Sequence, residues 1–179
     1  MTESENELIP LRKVPLEEYL AICISFFHEI GIETRFEKLD EPCFLPGLSI
    51  RNGIIIIDKE ALSYPGDILH EAGHIAVVPA AERNTLSAAV IEKRDQREAE
   101  EMMAIAWSYA ACVHLGLNPY VVFHDDGYKG GGSYIADNFN NKNYFGLPML
   151  QWKGMTLDET NAARQNVPPY PCMLKWVLD

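Results

Sequence analysis

Three titratable residues, His70, Glu71 and His74, sit at the centre of the strongly apolar stretch DILHEAGHIAVV at residues 67–78. On a helix, residues four apart lie one turn above each other, so the two imidazoles converge on one point while Glu71 stands slightly aside. At 100° per residue the three fall within about a 100° arc, with Ile68, Leu69, Ala72, Ile75 and Ala76 on the far side. Burying three such groups without partners is costly, because each loses water and the carboxylate loses most. A metal ion satisfies them together. In the pattern His-Glu-x-x-His the two imidazoles bind Zn²⁺ and the carboxylate is general base toward an attacking water. The spacing therefore points to His70 and His74 as metal ligands and to Glu71 as catalytic base. The plain alternative is a buried helix whose histidines bond to carbonyls and whose glutamate meets an arginine.

A catalytic zinc takes three protein ligands and leaves one position open. Glu98, Glu100 and Glu101, at the start of a long helical pattern, are the candidates for the third. Glu101 is the expected ligand, because Ala104, Ser108 and Ala111 follow it on nearly the same side and form a small-residue face that a second helix can approach closely. Glu98, about 60° away around the helix, is the reserve choice. Gly73 leaves room beside the histidines for a backbone or a ligand. Developing charge on the attacked carbonyl needs a further donor. His124 and Tyr128, with Tyr134 beside them in FHDDGYKGGGSY, are the candidates.

The surrounding elements must hold these groups together. Apolar residues at helical spacing follow Pro15 and stop at Gly31, predicting a first helix. Residues 32–58 alternate and contain an Asn52-Gly53 turn signal, predicting two or three short antiparallel strands. The motif helix starts near Pro65-Gly66-Asp67, where Asp67 suits both capping and the helix dipole, and ends before Pro79. Residues 79–92 have no clear period, and the pattern that follows predicts a long helix closed by Gly116 and Pro119. From Pro119 onward, Gly, Asn and aromatics suggest a long irregular connection, then a short helix capped by Thr156 and a proline-rich tail. The fold class is α+β, as one domain over residues 1–179: a small antiparallel sheet packed against the motif helix and a second long helix, with an extra C-terminal helical or irregular segment.

Strands, then a helix bearing HEAGH, then a second helix bearing Glu101-x-x-Ala104-x-x-Trp107 resemble the ImmA/IrrE-type zinc peptidases over residues 47–115. That resemblance implies a minimal, gluzincin-like zincin core, with zinc held by His70, His74 and Glu101 and with Glu71 as base. The implied activity is metal-dependent hydrolysis of peptide or related amide bonds, the partner being a peptide or protein substrate. The competing function is a zinc-binding, catalytically silent interaction module.

Composition narrows the partners. A formal net charge of −11 without a basic cluster disfavours nucleic acid. No run approaches 18 apolar residues, so no membrane span is expected, and the polar, acidic N-terminus suggests a cytoplasmic protein. Four scattered cysteines without a Cys-x-x-Cys pair read as reduced thiols. An extended peptide would add as a strand to an exposed sheet edge, expected within residues 48–58.

Overall fold

The computed structural model describes residues 14–40 and 43–179; the polar leader at residues 1–13 lies outside them. Helix α1 (Leu16–Ile30) buries Tyr19, Leu20, Cys23, Phe26 and Phe27, the positions its apolar period marks. Glu17 and Glu18 favour its first turn through the helix dipole. Gly31 closes it at φ 81°, a left-handed conformation that glycine adopts without strain.

Strands β1 (Thr34–Phe36), β2 (Leu48–Arg51) and β3 (Ile54–Ile57) form a sheet in the order β1-β3-β2. The β2–β3 hairpin turns at Asn52-Gly53, both at positive φ as this dipeptide predicts. The sheet is nonetheless mixed rather than antiparallel, because β1 pairs with β3 in parallel. Alternation along a strand says nothing about the direction of its partner. The placement of β3 at the centre divides residues 48–58. Only the β2 half lies at an edge, and Leu45 and Ser87 already bridge its two ends. The buried Asp58 accepts from the backbone N–H groups of Leu39, Glu60 and Ala61, which ties the chain after β1 to the end of β3.

The sheet is followed by α2 (Asp67–Ala76), two single-turn helices α3 (Ala80–Arg83) and α4 (Ala88–Ile91), and the long α5 (Arg97–Leu115). Helix α2 packs chiefly on α5 and also meets α1, β2 and β3. Its Ile68, Leu69 and Ile75 are buried, each contributing about 1.5–3 kcal/mol relative to exposure. The segment expected to be irregular contains α6 (Pro119–Val122), α7 (Gly132–Asn140) and α8 (Leu147–Trp152). These short helices are held by anchors such as Phe123, Phe139 and Leu150, all buried, rather than by a long period of their own.

Helix α9 (Glu159–Gln165) is capped by Asp158, whose carboxylate accepts from the Asn161 N–H. Thr156, the expected cap, is instead fully buried and donates its hydroxyl to the Cys172 carbonyl. The tail straps α5 and α2 together. Trp107 Nε1 donates to the Trp176 carbonyl at 2.7 Å, Tyr170 donates to the Ala106 carbonyl at 2.8 Å, and Leu178 N–H reaches the Ala76 carbonyl at 2.9 Å. Among the described residues, no helix is long and apolar enough to cross a membrane.

Candidate metal centre

Two glycines let α2 sit where it does. A side chain at Gly66 would meet the Val121 carbonyl oxygen at 1.9 Å, so the start of α2 lies directly against α6. A Cβ at Gly73 would lie 2.9 Å from the Ala104 carbonyl oxygen, so α2 and α5 touch backbone to backbone at the level of the motif. Across that contact the Ser108 hydroxyl lies 2.6 Å from the Ala104 carbonyl and 3.3 Å from the Leu69 carbonyl on α2. The small-residue face after Glu101 thus brings the two helices into close approach.

At this junction His70 Nε2 and His74 Nε2 are 3.1 Å apart. Glu101 Oε1 is 3.3 Å from His70 Nε2, and its Oε2 is 3.2 Å from His74 Nε2. Ligands bonded at about 2.0–2.1 Å to a tetrahedral ion are spaced at about 3.3 Å; the two imidazoles are close to that spacing, and Glu101 approaches each of them through a different oxygen, one donor atom from each residue lying within 4.8 Å of the others. These three residues are the group among the described residues that could hold a metal ion. The histidines are nearly enclosed, whereas the Glu101 side chain stays 43% exposed, so the cluster opens to solvent on that side.

The electrostatics show what the donors require. Burial pushes Glu101 up, but its contacts with His70 and His74 outweigh this and hold it well below the usual carboxylate range. Burial pushes His70 down, yet Glu101, with smaller contributions from Glu71 and Asp67, leaves it above the ordinary imidazole value. Glu71 is raised, first by burial and further by Asp67 and Glu101, against the opposing pull of His74 and His70. Its carboxylate accepts no hydrogen bond from another described residue.

The other acidic candidates do not join the cluster. Glu98 is exposed. Glu100 is buried in a two-point ion pair with Arg94, at 2.6 Å to Nε and 2.9 Å to Nη2, which is neither a metal site nor a solvated charge. A polar cleft of about 430 Å³ borders Arg94, Glu100, Lys93 and Lys153 and contains none of the three donors.

Among the candidate donors to a reacting carbonyl, Tyr128 lies closest to the histidines in orientation and chemistry. Its ring stands edge-on to His70 with centroids 5.8 Å apart, and its hydroxyl is buried without a hydrogen-bond partner among the described residues. His124 has both ring nitrogens engaged: Nδ1 accepts from the Gly127 N–H at 3.1 Å, and Nε2 is 2.8 Å from Asp67 Oδ1. Tyr134 is 72% exposed on α7.

Asp67 is the functional neighbour that sequence reasoning missed. It makes no capping hydrogen bond; buried at the start of α2, it accepts from His124 instead. The available signal was an acidic residue one turn ahead of His70, inside the same arc as the three polar residues of the motif. No protein-family model, curated protein or solved structure matches the chain.

Proposed function

We propose that the chain is a zinc-dependent hydrolase of peptide or related amide bonds, acting on a peptide or protein substrate. The observation that carries this reading is the convergence of His70, His74 and Glu101 at 3.1–3.3 Å beside the half-buried Glu71 carboxylate, whose proton affinity is raised. The order of these residues along the chain is also that implied by the resemblance to ImmA/IrrE-type zinc peptidases.

Zinc, when bound, supplies a Lewis acid that polarises a carbonyl and favours ionisation of water. The chain's own residues do the rest. His70, His74 and Glu101 would hold the ion, with Glu101 on the side of the cluster that is exposed to solvent. Glu71 takes the proton of the attacking water and returns it to the leaving amine, a role that its raised proton affinity suits. Tyr128 donates its free hydroxyl to the oxygen on which negative charge develops.

The test compares wild type with Glu71→Gln. Zinc content should be equal in both, while cleavage of a quenched fluorescent peptide mixture should fall by at least about 100-fold in the variant. Equal zinc with identical background cleavage would point to a zinc-stabilised interaction module. A wild type that takes up no zinc would sink both readings.

A further inference from the structure

Residues 123–133 are fastened to the start of α2 by contacts that none of the roles above requires. His124 lies flat on Tyr64, with ring centroids 4.1 Å apart and 7° between planes. The Tyr64 hydroxyl donates to Asp126 at 2.9 Å. A backbone N–H can only donate, so the Gly127 contact fixes His124 as the neutral tautomer with its hydrogen on Nε2, aimed at Asp67. Gly127 is needed there, because a Cβ would lie 2.8 Å from the His124 ring. The far end closes through Asp125, which accepts from the Ser133 N–H at 3.0 Å and whose carbonyl accepts from the Gly130 N–H at 2.8 Å. The loop so formed carries Tyr128, whose ring packs between Phe123 and His70.

We propose that Asp67 and His124 are a positioning pair: they dock residues 123–133 on the first turn of the motif helix and so set the Tyr128 ring against His70, and His124 itself does not touch substrate. With both ring nitrogens bonded and one face covered by Tyr64, His124 has no group left for a reacting atom. Asp67 is placed for this work because it lies on the same helix as the ligands, one turn before His70. A loop bound to it keeps its register with the donors. The pair needs only a donor at Nε2 and an acceptor on residue 67, so His124→Gln and Asp67→Asn should preserve the docking while alanine at either position should release it. What Tyr128 does at the site rests on the hydrolase reading; where Tyr128 is held does not.

The experiment uses zinc-loaded full-length wild type, His124→Ala, Asp67→Ala, His124→Gln, Asp67→Asn, Tyr128→Phe and the double variant His124→Ala/Tyr128→Phe. Amide hydrogen exchange at residues 124–133 should quicken at least about tenfold in both alanine variants, with α5 protection unchanged, and should return close to wild type in the Gln and Asn variants. Cleavage of the fluorescent peptide mixture should fall about 100-fold in kcat for Tyr128→Phe and as far for His124→Ala, and no further in the double variant. Unchanged exchange in both alanine variants would overturn the docking. Losses that multiply in the double variant would show His124 acting on the substrate independently. A loss in Asp67→Asn equal to that in Asp67→Ala would show that the charge matters rather than the hydrogen bond, against the proposal. If wild type takes up zinc but does not cleave, the hydrolase reading fails while the exchange result still decides the docking.

Discussion

Glu100 and Glu101 are neighbours on one turn of α5, about 100° apart around its axis, and they meet opposite surroundings. Glu100 is sealed against Arg94, which also reaches Glu82 at 2.9 Å, so the charge it needs comes from a fixed cation. Glu101 faces two imidazoles that can bind a proton or a metal but carry no permanent charge. The first arrangement is complete and can only stabilise. The second is electron-rich and calls for an ion from outside. The chemical potential of a buried carboxylate is thus set less by burial than by whether its partner brings its own charge.

The contrast can be broken at either end. Glu101→Ala should weaken zinc binding more than about 100-fold, beyond the loss typical of an outer partner, as measured by competition with a chromophoric chelator. A chelator should lower the melting temperature of wild type and leave that of Glu101→Ala unmoved. Glu100→Ala should reverse the pattern, leaving zinc affinity intact but leaving Arg94 with Glu82 alone, at a cost of about 1–3 kcal/mol in urea unfolding. Similar losses of zinc in both variants would erase the distinction.

Gly73→Ala tests the junction itself. A methyl group 2.9 Å from the Ala104 carbonyl must push the helices apart, costing about 1–3 kcal/mol of stability and loosening zinc as well.

A smaller effect lies in the uncharged core. Burial pushes the Cys23 thiol from 9.0 up to about 12. The unfolded chain therefore ionises first, so the stability this thiol contributes is complete below pH 9.0 and is lost as pH rises toward 12. Denaturation midpoints should fall over that alkaline range, and less steeply in Cys23→Ala. At pH 8 a thiol reagent should modify the exposed Cys172 while sparing Cys23 and Cys112. Glu98→Ala, at the exposed start of α5, should change neither zinc content nor melting temperature measurably.

The residues of the His70–His74–Glu101 cluster were legible because their signals are local. Helical spacing aligns His70 with His74, and a run of small residues after Glu101 announces a close helix contact before any partner is known. What escaped was fixed by distant partners. The sequence period could not show that Arg94 captures Glu100, that Asp67 is used by a histidine 57 positions on rather than as a cap, or that β1 runs parallel to β3. Thr156 and Asp158 are both good caps by type; the tail carbonyl of Cys172 claims the first, leaving the second to start α9. The helices after Pro119 were hidden for the same reason, since their order comes from aromatic anchors rather than from their own few turns.

The contact at Gly73 also bears on which ion the site could accept. Ions that bond at about 2.3–2.6 Å with six or more oxygens, as calcium does, need a wider and more oxygen-rich shell than two imidazoles and one carboxylate. Spreading His70, His74 and Glu101 to suit them would draw Gly73 away from Ala104 and leave an unfilled gap between helices that now touch. The glycine-to-alanine backbone contact thus limits how far the two helices that carry the donors can part.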